Sequence, residues 1–159
     1  MKLSWVLLSL LAVASPVLAR DSLGIYQNWG AFRDGQPSRC YAIAEPEEAA
    51  GAGAFATISW WPDKAIRGQF HVALSSTIRP TSDVYLDAGG RRWRLTKGAR
   101  EAWSPSPKHD SFILAKLRSA GSFVISVESG GERTYRDLYL LRGAPSAFDA
   151  AALGCAKAQ

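Results

Sequence analysis

The residue types in this chain that are able to do catalytic chemistry are few: His71, His109, Cys40, Cys155 and the run Lys108-His109-Asp110-Ser111. A hydrolase needs a nucleophile, a base and an orienting carboxylate that converge in a cleft. The 108–111 run holds those types, but sequence neighbours rarely build that geometry, so surface polar residues are the expectation. A zinc site needs three or four close ligands, and neither His-x-x-x-His nor Cys-x-x-Cys spacing occurs. No Gly-x-Ser-x-Gly elbow, phosphate-cradling Gly-x-x-x-x-Gly-Lys or dinucleotide glycine fingerprint is present either. Glu47-Glu48 falls in a loop setting, where solvated carboxylates are the default. The expectation is therefore no catalytic residue, no metal and no cofactor. A hydrolase built around His71 or His109 is the minor alternative.

Recognition chemistry is better represented. After the first nineteen residues the chain keeps Trp29, Trp60, Trp61, Trp93 and Trp103. Adjacent residues on a strand point to opposite faces, so Trp60 and Trp61 cannot both fill one core. An exposed indole beside an arginine can stack on a sugar. Trp61, Arg67, Arg92 and Arg94 are the candidate ligand-binding residues on this argument. Arg92 and Arg94 share one face of a strand, which reads as an anion-binding stripe or as ordinary edge protection. The competing reading of the tryptophans is simply that they fill a small β core.

The elements that must position these residues are mostly short strands separated by Gly, Pro, Ser and Asp. Strands are expected at 26–32 and 39–44, divided by Asp34-Gly35-Gln36-Pro37, then a loop over 45–53 and a strand at 54–61 that Pro62 ends. Residues 69–74 alternate, with Phe70, Val72 and Leu74 on one face and His71 on the other. Two hairpins follow from paired glycines: 84–87 with 92–96 across Gly89-Gly90, and 123–128 with 134–141 across Gly130-Gly131. Ser106-Pro107 reads as an N-cap followed by proline at the first helical position, leading into 112–118, with Ile113, Leu114 and Leu117 as the buried stripe. A second helix has Ser146 and Asp149 at capping-box spacing, Phe148 and Ala152 toward the core, and Gly154 as its stop. The fold class expected is mainly β: an antiparallel β-sandwich or barrel-like domain with two short helices.

Residues 1–19 read as a secretory signal peptide, with Lys2 in the n-region, an apolar h-region at 5–13 and cleavage after Ala19. The expected organisation is that leader and a single domain over 20–159, periplasmic or secreted, with no transmembrane span once the leader is gone. The precursor is 47% apolar and 21% charged, a globular composition, and its net charge of +5 falls by one with Lys2. That modest charge, spread along the chain, suits solubility or contact with anionic envelope components, and secretion argues against nucleic acid as a partner. In an oxidising compartment the even cysteine count favours a Cys40–Cys155 disulfide, with two buried thiols or a redox pair as the alternatives.

The segments Ile25-Tyr26-Gln27-Asn28-Trp29, Cys40-Tyr41-Ala42-Ile43 and Leu141-Arg142-Gly143-Ala144-Pro145-Ser146-Ala147-Phe148 together resemble the invasion-associated locus B family. Trp29, Cys40, Gly143 and Ala147 carry the resemblance, and Gln27 stands where the family usually has glycine. The resemblance implies a secreted, β-rich, single-domain protein of a Gram-negative envelope, and it brings no catalytic residues. The expected function is non-enzymatic binding to an envelope component or protein partner. The alternative is a glycan- or lipopolysaccharide-binding module using exposed Trp and Arg.

Overall fold

The computed structural model describes residues 20–156, and the expected leader with its cleavage site at Ala19 lies outside them. The strands are β1 (Arg20–Tyr26), β2 (Trp29–Asp34), β3 (Arg39–Ala44), β4 (Phe55–Trp61), β5 (Ile66–Ala73), β6 (Asp83–Ala88), β7 (Arg91–Arg94), β8 (Thr96–Lys97), β9 (Glu101–Trp103), β10 (Ser122–Ser129) and β11 (Glu132–Leu140). A single 3-10 turn, Pro62–Lys64, links β4 to β5, and the helices are α1 (Pro107–Leu117) and α2 (Ala144–Ala156). They form a seven-stranded antiparallel sheet, β1-β2-β3-β4-β5-β9-β8, and a four-stranded one, β11-β10-β6-β7. The arrangement is sandwich-like and is not a closed barrel.

Alternation builds the core. Phe70, Val72 and Leu74 are fully buried, as the 69–74 pattern predicts, and Val84, Leu86 and Ala88 do the same for β6. The sheets meet where Phe70 of β5 packs edge-on against Phe123 of β10, which stacks in turn on Tyr139 of β11. Both predicted hairpins form, with Gly89, Gly90, Gly130 and Gly131 all at positive φ. The first one ends early. Leu95 is buried between β7 and β8, and its N–H donates to Val84 O, so the chain crosses there from the small sheet to the large one.

Two boundaries differ from expectation, at the first strand and at α2. The predicted strand at 26–32 is a hairpin, with Tyr26 opposite Trp29 and Gln27-Asn28 in its turn. Gln27 takes φ +55 while Asn28 does not, the sign pattern of a type II′ turn, and no glycine announces it in the sequence. The α1 helix starts at Pro107, the first helical position that Ser106-Pro107 marks, and ends at Leu117, with the Ser106 hydroxyl accepting from His109 N–H as its cap. Ile113 and Leu117 are buried, and Leu114 packs partly against the core. The α2 helix runs from Ala144 through Ala156, so Ser146 is not its cap and Gly154 does not stop it. Gly143 precedes that helix at φ +84, and a Cβ there would overlap the Tyr26 carbonyl oxygen. Gly154 instead lets Leu23 of β1 come close, since a Cβ would stand 2.6 Å from Leu23 Cδ1. The buried stripe of α2 is Ala147, Phe148, Ala151 and Cys155, and Ala152 sits at its margin.

The disulfide is formed. Cys40 on β3 and Cys155 at the end of α2 are joined across a sequence separation of 115, which clamps the helix onto the inner face of the large sheet. Beside it Trp29 packs edge-on against Phe148 at 5.2 Å and donates its indole N–H to Leu140 O.

Candidate functional site on the open face of the large sheet

Register decides which side chains share a face. In the large sheet Trp29, Ala31, Cys40, Ala42, Ile58, Phe70 and Val72 turn inward to the second sheet and the helices. The intervening residues Phe32, Tyr41, Thr57, Ser59, Trp61, His71 and Trp103 therefore lie on the other face. Among the described residues α2 packs on the inner face, and on the outer face Phe32, Trp61, His71 and Trp103 are partly exposed while Tyr41, Thr57 and Ser59 are buried. Its floor is the small pair Thr57 and Ser59, and aromatic groups rise on both sides.

One aromatic group centres on Trp61. Phe32 and Tyr41 pack at 5.9 Å between ring centroids. The Arg39 guanidinium lies 4.1 Å from the Tyr41 centroid and 5.1 Å from that of Trp61, and Lys64 Nζ lies 4.7 Å from the same indole. Arg20 reaches over Phe32 and Tyr41 from the edge strand. The carboxylate paired with these cations is Asp34, 2.7 Å from Arg39 and 3.3 Å from Arg20. Burial, then the Asp34 carboxylate, push the Tyr41 hydroxyl above its ordinary range, so it stays a neutral donor. Yet the Tyr41 hydroxyl and the Trp61 indole N–H are sealed from solvent with no hydrogen-bond partner among the described residues.

The other group surrounds His71. Its ring packs 5.5 Å from Trp103 and 6.0 Å from Phe55, with Thr57 Oγ1 at 3.5 Å and Glu101 at 3.9 Å. Burial lowers the His71 pKa below its ordinary value and outweighs the opposing pull of Glu101. At neutral pH this imidazole is uncharged, an aromatic wall more than a cation.

The four sequence candidates do not come together. Trp61 is in the open-face cluster. Arg67 is exposed on the same sheet but sits opposite Trp60, whose ring packs toward the core, so it shares the other face. Arg92 and Arg94 belong to the small sheet, where each already has carboxylates: Asp87 and Glu128 for Arg92, Asp83 for Arg94. That outer surface is a ladder of matched ion pairs, whereas the Trp61 cluster carries surplus positive charge. Arg39, Tyr41 and Lys64 were missed because cation and aromatic are brought together across strands, and no spacing along the chain marks such a pairing.

The residues of the 108–111 run do structural work. His109 Nδ1 lies 2.8 Å from Ser106 Oγ, but that hydroxyl caps α1. Asp110 is buried at the edge of β5, where β9 pairs only from His71 to Ala73. Its Oδ1 accepts the Phe70 N–H at 2.8 Å, replacing the missing strand partner. Desolvation raises the Asp110 pKa, and the Phe70 bond works against that rise. A cleft of about 410 Å³ opens elsewhere, between residues 76–82 and the β10–β11 hairpin, and neither histidine lines it. Among the described residues no group of three or more His, Cys, Asp or Glu is placed to hold a metal ion. No protein-family model, curated protein or solved structure matches this chain.

Proposed function

We propose that this chain is a secreted, periplasmic or envelope-associated binding protein without enzymatic activity, which holds an envelope glycan such as lipopolysaccharide on the open face of its large sheet. The observation that carries this reading is the Trp61 cluster: a partly exposed indole on the outer face, with Arg39 and Lys64 poised over it and the buried Tyr41 ring beneath Arg39. Pyranose rings stack on such rings through their C–H faces, and cations beside them favour anionic substituents.

We also propose that the chain is a divergent member of the invasion-associated locus B family. The four residues of that resemblance share one region: Trp29, Cys40 and Ala147 are buried where α2 meets the sheet, and Gly143 allows the tight approach to Tyr26. The departure at Gln27 falls at φ +55, a conformation that glycine adopts without strain, which is a physical reason for glycine at that place in relatives. These residues speak for architecture, and the binding face is argued from the others.

Retention on immobilised lipopolysaccharide tests the reading. Trp61→Ala is expected to weaken retention roughly tenfold, as for loss of one stacking aromatic worth about 1.5 kcal/mol. Arg94→Ala, on the opposite sheet, is expected to leave it unchanged. Equal retention of wild type and Trp61→Ala refutes the proposal.

A further inference from the structure

The open face carries a carboxylate of its own at the point where its cations converge. Asp34 lies directly opposite Arg20 on one neighbouring strand and Arg39 on the other, so all three share the outer face. Its Oδ1 is 3.3 Å from Arg20 Nε and its Oδ2 2.7 Å from Arg39 Nη2. Arg39 then bridges to Tyr41 and Trp61, and Lys64 Nζ lies 4.7 Å from the centroid of the same indole.

Two facts describe what this arrangement lacks. Three cations contact the rings, while one carboxylate is paired with them. Beneath them the Tyr41 O–H and Trp61 N–H are sealed donors with no acceptor among the described residues, and a buried donor left unpaired is costly. The cluster is thus rich in positive charge and donors and poor in acceptor oxygens. A ligand complementary to it brings anionic oxygens on a ring that can stack.

Resting on the glycan reading above, we propose that Arg20, Arg39 and Lys64 form a subsite for the anionic substituent of an acidic sugar, and that Asp34 is an internal competitor which that substituent displaces. The displacement exchanges one ion pair for another and breaks no covalent bond. Asp34 is then a specificity residue. A neutral sugar has nothing to exchange for the Asp34 carboxylate, whereas a sugar carboxylate or phosphate takes over its guanidinium partners. The Asp34 and Arg39 side chains are 20% and 28% exposed, so the pair is accessible without unfolding a strand.

Tryptophan fluorescence titrations with trigalacturonate, a mannose 6-phosphate oligosaccharide and neutral maltotriose test the idea. The wild type is expected to prefer at least one acidic sugar over maltotriose by about tenfold, with the preference shrinking between about 0.05 and 0.5 M salt. Whichever acidic probe binds more tightly identifies carboxylate or phosphate as the source of the anion. Asp34→Asn is expected to raise acidic-sugar affinity about fivefold, the equivalent of one exposed ion pair, and to leave maltotriose unchanged. Lys64→Gln, on an exposed turn where folding is not at stake, is expected to lower acidic-sugar affinity alone. Equal affinity for acidic and neutral sugars, or an acidic-sugar affinity that Asp34→Asn fails to raise or Lys64→Gln fails to lower, overturns the inference while leaving a glycan face intact. Failure of the wild type to bind any of the three sugars or lipopolysaccharide overturns the glycan reading itself.

Discussion

Replacing both Cys40 and Cys155 by alanine removes a cross-link that spans a sequence separation of 115. In the chain-entropy account, a loop of that length restricts the unfolded ensemble by about 16 cal/mol/K, or about 4.8 kcal/mol at room temperature. Both sulfurs are buried, so their loss from the packed seat of α2 adds to the cost. A folded unit of roughly 140 residues has an unfolding entropy near 0.3 kcal/mol/K, so the melting temperature should fall by roughly 16 °C. The assay is urea unfolding followed by circular dichroism, oxidised wild type against the double variant. The entropic mechanism makes a second demand: freed from its cross-link, the unfolded chain exposes more surface, and the urea m-value should rise. A loss below about 1.5 kcal/mol with an unchanged m-value would refute the reasoning. It would mean that Phe148, Ala147 and Ala151 hold the helix in place whether or not the covalent clamp is present.

Gln27→Gly should stabilise the chain by roughly 0.5–1 kcal/mol, because relief of the strained φ outweighs the entropy that glycine loses on folding; a melting temperature at or below wild type counts against the turn assignment. Gly143→Ala should cost about 3 kcal/mol or more, since φ is +84 and the new methyl meets backbone, whereas Gly154→Ala should stay within about 1 kcal/mol of wild type because helix propensity offsets a shift of the Leu23 side chain. Similar melts for the two variants would refute that distinction. His71 is held neutral by burial, so the unfolded state binds its proton more readily than the folded state. Its contribution is full above the ordinary value of 6.5 and is lost as pH falls from there through the lowered folded value. His71→Gln should therefore flatten the fall in melting temperature between about pH 7.5 and 5.5, and parallel profiles for the two proteins would contradict this.

Much of the architecture was legible because it follows from local chemistry. Strand alternation in 69–74 placed Phe70, Val72 and Leu74 inside, paired glycines marked both long hairpins, and Ser106-Pro107 located the start of α1. The errors have local causes too. The β1–β2 turn is made by Gln27-Asn28 in a conformation that glutamine adopts only when flanking pairing imposes it. Gly154 resembles a helix stop, but its role is to admit Leu23 from a strand more than a hundred residues away, and contacts of that range leave no periodicity to read.

The chain's own pattern determined the class of fold, the two helices and the cysteine pair available for a disulfide. Side-chain period and turn chemistry act over a few residues, so they survive in a one-dimensional record. Tertiary structure decided which candidates meet. It put Trp61 on the outer face, turned Arg67 to the other side, matched Arg92 and Arg94 with carboxylates, set Arg39 and Lys64 over one indole, and joined Arg39 to Asp34, Arg20 and Tyr41 beside it. Register and sheet order set those neighbours, and both depend on the packing of the whole core.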